Sequence, residues 1–377
     1  MKVKIHSETS VAKIPGAIQA EISKLGQNPF FNGRFLQVLE QTGCVSPQAG
    51  WEVQHLWLSV DEEPVFFMPL YKKRHSWGEY VFDQFWADAF HRHGLRYYPK
   101  WVTCIPFTPS IGPRWWVRLD VDEQWCLQQV FQWLQERMAA GEGSSWHLLF
   151  NDRDIQGWPD LAVRKDVQFH WRDQGYSDFE GFLASFKSRK RKGIRRERQR
   201  VAEQGVSVQR KRGIDLTQED WQHFYRCYCQ TYHERGMAPY LSQSFFIQIG
   251  SHMAQQIVMM LACLGEEPVA AALCFFDNTT LYGRYWGALR KVDCLHFEMC
   301  FYQGIEFCLQ QGLSRFDPGT QGEHKLLRGF EPVETRSWHY IAHAGFRQAI
   351  ATFAEQEQSQ IEGYQDRANR YLPFKSQ

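Results

Sequence analysis

The chain has 377 residues, 44% of them hydrophobic and 23% charged, with 15 Trp, 28 Phe and 15 Tyr and a formal net charge of +1. That length exceeds the usual size of a single hydrophobic core and predicts two domains of an ordinary globular, aromatic-rich protein. The start, Met1 to Glu8, lacks a continuous apolar stretch and no run is long enough to span a bilayer, so neither a secretory leader nor a membrane span is expected and the reading is a cytoplasmic protein.

Ten cysteines do not make a disulfide framework here. Cys263, Cys274, Cys300 and Cys308 fall inside apolar patterns, where cysteine acts as a small hydrophobe. Cys227 and Cys229 form the only close pair, and neither a Cys-x-x-Cys nor a matching histidine spacing accompanies them, so no metal site is expected.

In chain order, a helix is predicted over Arg34 to Thr42, then a hairpin over Leu56 to Val65. An aromatic helix, Phe82 to His93, carries Asp83 and Asp88, and a strand runs from Trp101 to Pro106. The loop Pro106 to Arg114 holds three prolines and Gly112 beside Thr108, Ser110 and Arg114, a composition suited to a rigid loop that faces a pocket between two domains. Further on, Phe179, Phe182, Leu183 and Phe186 recur at helical spacing, with Ser177 and Glu180 reading as a capping box. One helix is expected to dock by that stripe and carry the following basic run outward, with Gly193 interrupting or ending it. From Lys187 to Arg200 nine basic residues face one acid, Glu197, a net +8 in a chain whose total is +1, so the rest is acidic.

The second half opens with a helix over Ser242 to His252. Ile257 to Leu264 and Val269 to Phe276 flank a turn at Gly265 to Pro268, and Asp277 to Thr280 turns into a third antiparallel strand, Leu281 to Gly287. A connection from Ala288 to Cys294, with Arg290 and Lys291, leads to a helix from Leu295 to Gln311, near whose start Glu298 complements the helix dipole. A strand, Leu313 to Pro318, precedes the polar loop Asp317 to Arg328, and an amphipathic helix follows Phe346 and ends near Arg370.

An internal repeat accounts for the length. Leu56 to Val65 and Met260 to Val269 align without a gap at an offset of 204 residues, share Glu-Glu-Pro-Val, and are each flanked by a helix on both sides and followed by a proline-ended strand. Two copies of one α/β unit follow, divided as 1–160 and 161–377.

The order of strand, glycine-punctuated loop, helix, strand and polar loop resembles the donor-binding half of a GNAT acyltransferase. More closely, the chain is similar to the FemAB-like predicted N-acyltransferases of peptidoglycan biosynthesis or recognition. Gly319-Thr-Gln-Gly-Glu-His-Lys325 matches that family's Gly-x-Gln-Gly-Glu-His-Lys residue by residue, and the similarity runs from about Asn28 to His343. The resemblance implies an α/β (α+β) fold of tandem GNAT-like repeats, each a mixed, mainly antiparallel sheet flanked by helices. It implies direct transfer of an acyl or aminoacyl group from acyl-CoA or aminoacyl-tRNA as co-substrate to an amine-bearing acceptor of the cell-wall-precursor kind, with tRNA as a partner in the second case and no permanently bound cofactor.

Such transfer needs a neutral amine, donors for the oxyanion and a proton for the leaving group. Glu323 or His324 would take the amine proton, and Tyr285 matches the GNAT tyrosine that protonates a thiolate. Asp317, Gln321, Lys325 and Arg328, with Thr108 and Arg114, would hold substrate. Gly287, Arg290 and Lys291 would receive the donor pyrophosphate at a helix N-terminus, although the family's Gly-x-Gly repeat is absent. Lys190, Arg191 and Arg195 would meet the 3′-phosphate of CoA or a tRNA. No Gly-x-Ser-x-Gly elbow supports a covalent route. The alternative is a non-catalytic nucleic-acid-binding protein using the basic helix on a GNAT-like scaffold, against which stand the lack of a base-reading motif and the acidity of the remainder.

Overall fold

The structure, a computed structural model, describes residues 2–155, 158, 160–320 and 322–375. The chain forms two compact units that are interleaved rather than successive. The first comprises Met1–Lys24, Phe30–Asp166 and Thr335–Glu362, the second Leu25–Pro29, Val167–Glu334 and Gly363–Gln377. The single boundary expected after residue 160 is therefore replaced by a return of the chain to the first unit near its end.

In the first unit the strands are β1 (Val3–Glu8), β2 (Trp51–Val53), β3 (His55–Val60), β4 (Glu63–Met68), β5 (Tyr71–Lys73), β6 (Lys100–Thr103), β7 (Trp116–Val117) and β8 (Ser145–Leu149). The chain leaves this unit within β9 (Ala162–Arg172). The second unit adds β10 (Val206–Arg212), β11 (Ile257–Leu264), β12 (Glu267–Phe276), β13 (Thr280–Ala288) and β14 (Arg315–Asp317), and the chain returns within β15 (Glu331–Ile341).

The first unit has a small sheet in the order β1-β3-β4-β7 and a second in which β15 pairs β8, then β6, β5 and β2 follow. Helix Glu123–Ala139, capped by Asp122, lays Cys126, Leu127, Val130 and Leu134 on a core of Leu56, Phe66, Trp101, Trp115, Trp146 and Trp338. Burying tryptophans in this way absorbs much of the aromatic excess, each side chain removing a large apolar area from water.

The second unit's strands run β10-β11-β12-β13-β14-β9. Strands β10 to β13 are consecutive antiparallel neighbours, whereas β14 joins β13 in parallel after the helical segment 295–311 has crossed over. That segment is α-helical over Leu295–Phe297, widens to a π-helix over Glu298–Tyr302, and returns to α over Gln303–Gln311.

The repeat read from sequence is visible in the registers. Ser59 pairs with Pro64 and Val60 with Glu63, with a bulge between Leu58 and Ser59; Cys263 pairs with Pro268 and Leu264 with Glu267, with a bulge between Ala262 and Cys263. Every one of these positions is related by the 204-residue offset. The turn is the two residues Gly265 and Glu266 rather than Gly265 to Pro268, because Glu267 and Pro268 already belong to the ladder.

The region before and through the basic run also differs from expectation. Asp178, not Ser177, caps Phe179–Ala184 by accepting from the Gly181 amide at 2.7 Å. The chain then breaks, and a separate helix, Ser188–Glu203, carries the basic residues. Gly193 lies inside it without ending it, on open space where a side chain would meet nothing within 4 Å. All ten cysteines are thiols. Among the described residues no helix is long and apolar enough to cross a membrane, and no group of His, Cys, Asp and Glu is arranged to hold a metal ion.

Candidate functional site

The polar centre of the second unit is built at the end of β14. Opposite Leu273 and Cys274 the register of β13 skips Arg284, so this arginine is the extra residue of a bulge. Its guanidinium meets Asp317 at 2.5 Å, and both side chains are 2% exposed. Asp317 also accepts from the Gly319 amide at 2.9 Å and lies 3.7 Å from His170 Nε2. Burial opposes ionisation of Asp317, but Arg284 and His170 outweigh it and hold the carboxyl well below the usual range. Burial lowers the pKa of His170, with Asp317 working against that shift and Arg284 adding to it.

Lys325 completes this chain of contacts. It starts from the short 3₁₀ turn Glu323–Arg328, entered through Gly322 at φ 113°. Its Nζ donates to the Gly319 carbonyl at 2.6 Å, and the residue is 3% exposed. Burial lowers its pKa to about 8, with Asp317 working against that shift and Arg284 adding to it.

Beside it, His324 is exposed and its ring lies 5.7 Å from that of Phe297 and 5.6 Å from that of Phe301. Partial desolvation, then Arg328 and Lys325, lower its pKa. His296, 6.0 Å away ring to ring, is lowered to about 4 by burial and by the charges that His324, Lys325 and Arg328 present. Both imidazoles are therefore proton acceptors at neutral pH. Glu323 is exposed and accepts a hydrogen bond from the Tyr364 hydroxyl at 2.8 Å. Gln321 lies outside the described residues.

Arg328 is fixed rather than pendant. Its ring-stacked guanidinium is 3.4 Å from the Phe297 centroid and donates to the Tyr302 hydroxyl at 3.0 Å, the His324 carbonyl at 2.8 Å and Glu197 at 2.7 Å.

Other residues singled out from sequence stand elsewhere. Tyr285 is buried edge-on against Tyr228 and Phe246. Gly287 serves helix-on-sheet packing: a Cβ there would lie 1.7 Å from the Cys227 carbonyl oxygen, in helix Gln218–His233. Arg290 pairs with Glu267 at 2.8 Å on the surface, and Lys291 is exposed. Glu298 is not a dipole partner at a free helix start, because it sits in the π segment and takes a two-pronged pair from Arg198 at 2.9 and 3.0 Å. In the first unit, Thr108 turns back to the Pro106 carbonyl, and Arg114, 1% exposed, donates to the carbonyls of Ser110, Gly112, Pro113 and Leu149. Both hold the loop together.

The basic helix has two faces. Arg198 reaches Glu298 and, at 2.5 Å, Glu306; Arg195 pairs with Glu180. Arg189, Lys190, Arg191, Lys192 and Arg196 make no ion pair among the described residues.

The sequence reading passed over a buried network in the first unit. The tripeptide Ser-Trp-His occurs at 145–147 and 337–339, and the two copies pair so that His147 faces His339, Nδ1 to Nδ1 at 2.6 Å. Each imidazole bonds the serine of its own tripeptide at 2.8 Å. His147 approaches Tyr97, which donates to Asp83; Lys100 bonds Asp83 at 2.5 Å and Glu79 at 2.7 Å. The repeated tripeptide was the available signal. Ser337 lines a cleft of this unit with Phe82, Arg164 and Glu357, while a cleft of the second unit is bounded by Arg212, Gln256 and Asp277; neither includes a residue of the 317–328 loop. We place the candidate site at the loop because its buried charges and lowered pKa values converge there.

A bulge-aimed arginine, a strand-end carboxylate and a buried lysine stand on an α/β fold with a repeated hairpin and mixed, mainly antiparallel sheets. The chain belongs to the FemAB-like family, described as peptidoglycan biosynthesis/recognition, whose model matches residues 10–376. Its fold is similar to the crystal structure of FemX, at 12% identity, covering 93% of this chain and 100% of that one, with a TM-score of 0.51. It is also similar to the structure of L-PGS from Bacillus licheniformis, at 11% identity, 88% and 97% coverage and a TM-score of 0.50. No curated protein matches the sequence.

Proposed function

We propose that this chain transfers an acyl or aminoacyl group, carried by coenzyme A or by tRNA, directly to an amine, with Asp317–Arg328 as the reaction loop. The observation that supports this most is Lys325, a buried ammonium held 2.6 Å from a backbone carbonyl beside the Asp317–Arg284 pair. Shielded from water, such a donor stabilises a developing oxyanion far better than an exposed one. At pH 7 a pKa of about 8 leaves it mostly protonated.

In the reaction so read, the amine nitrogen attacks the carbonyl carbon and its proton passes to neutral His324. Lys325 donates to the tetrahedral oxygen. Collapse breaks the bond to the thiolate or ribose oxygen, which leaves with the proton from His324. Glu323 is the other candidate base, and Gln321 a further donor. The unpaired cations of Ser188–Glu203, including Lys190 and Arg191, would meet donor phosphates, and Arg290 and Lys291 add positive charge in the same unit. The family description supports a cell-wall precursor as the acceptor, and ten free thiols suit a cytoplasmic setting.

The test is transfer of a radiolabelled group from acetyl-CoA, or from lysyl- or alanyl-tRNA, to a lysine-containing peptidoglycan-precursor peptide. Lys325→Met should lower turnover by about 10²–10³-fold, and His324→Gln by about 10²-fold or more. If Glu323→Gln causes that loss and His324→Gln does not, Glu323 is the base. Folded protein that transfers nothing from either donor class overturns the reading.

A further inference from the structure

Glu197 is the one acid between Lys187 and Arg200, and it does not face solvent as a spacer among repelling cations. Its carboxylate is gripped by two donors outside its own helix, Arg328 Nη2 at 2.7 Å on one oxygen and the Tyr302 hydroxyl on the other. Those donors are themselves fixed in advance. Arg328 is stacked on Phe297 and tied to the Tyr302 hydroxyl and the His324 carbonyl, and Tyr302 stands at the end of the π segment. A preorganised guanidinium and a phenol that converge on one carboxylate have the make-up of an anion site.

The occupant is exchangeable on geometric grounds. Glu197 keeps 27% of its side chain exposed while Arg328 keeps 7%, so the acid is the more accessible member of the pair. Lys190 lies seven residues earlier, two turns along the same helical face and roughly 10 Å away, and makes no ion pair among the described residues. Arg196, also without an ion pair there, is its immediate neighbour.

We propose that Arg328 and the Tyr302 hydroxyl form a phosphate subsite that continues the basic helix, and that Glu197 fills it in the free protein as an internal stand-in for a ligand phosphate. The ligand class is a phosphodiester or pyrophosphate, as in RNA or in coenzyme A. This rests on the reading above that the basic helix receives the donor. On binding, the phosphate displaces the carboxylate, which swings toward Lys190 or Arg196, so the subsite opens only when a polyanion is already engaged along the helix.

The experiment titrates full-length protein with a fluorescent RNA hairpin and, separately, with coenzyme A, from 50 to 200 mM salt. Glu197→Gln retains a hydrogen-bond acceptor for Tyr302 and removes the competing charge. It should tighten binding of whichever probe supplies the phosphate by about tenfold, corresponding to about 1.4 kcal/mol. For RNA it should also steepen the salt dependence by about one phosphate contact. Arg328→Gln should abolish that gain, so that the double variant binds no more tightly than Arg328→Gln alone, a coupling that a loss of folding would not produce. Glu197→Ala, checked by thermal melting, should reproduce the gain if the missing charge is what matters. Wild type that binds but is indistinguishable from Glu197→Gln overturns the stand-in and leaves the donor reading intact. Failure of both forms to bind either probe overturns both.

Discussion

Lys325 shows how one buried charge ties stability to pH. Its folded pKa of about 8 lies below the ordinary 10.5, so between those values the unfolded chain binds more protons than the native one. Stability attributable to this site therefore rises with pH across roughly pH 8 to 10.5, and the cost of burying the ammonium is fully present below pH 8. Each pKa unit corresponds to about 1.4 kcal/mol, giving a span on the order of 3 kcal/mol. Urea unfolding of wild type against Lys325→Met should show the difference between them move in favour of wild type as pH is raised through that window. A flat difference would mean that the lysine is not desolvated. The glycines, Glu323, His324 and Lys325 of this loop were legible in the sequence because a family motif and its polar density coincide. Arg284 was not, since it reaches Asp317 only through a bulge, and a strict two-residue alternation places it on the other face.

At the scale of elements, the basic helix was legible as charge but not as architecture. Its inward arginine is indistinguishable in sequence from its outward neighbours; the π segment, which presents Glu298, and Glu306 beyond it make Arg198 structural. Replacing Lys190, Arg191, Arg195 and Arg196 together by Gln should shift the melting temperature by no more than a few degrees, because none of them has a buried ionic partner among the described residues and surface charges contribute little. Arg198→Gln should instead cost about 2–4 kcal/mol, since Glu298, 6% exposed, would lose its cationic partner. Equal effects of the two changes would show that the inner face is as dispensable as the outer. The hairpins were the best-read elements, with the bulge recurring at the repeat offset. Helix Glu123–Ala139 went unread even though Asp122 caps it, because its polar residues interrupt the apolar period.

At the scale of the molecule, the FemAB-like fold and its repeat were visible in the 204-residue offset, while the interleaving was not. Local patterns report which residues form strands; they do not report which strand completes which sheet. β8 obtains its second neighbour from Ser337–Ile341, nearly two hundred residues later. A fragment ending at Asp166 should therefore lack a cooperative unfolding transition, and supplying 335–362 as a peptide should restore one. A cooperative melt of the fragment alone would show that the late strand is dispensable. The same feature sets the order of events on the ribosome. When Leu149 emerges, the edge of β8 that Ser337–Ile341 will cover is open, and the stretch Val167–Glu334 of the second unit must be synthesised before that partner arrives. An open edge invites pairing with other chains. The nascent protein thus still carries that open edge while its own reaction loop is being made, and a holdase acting on the edge would raise the yield of native protein without touching the mature site.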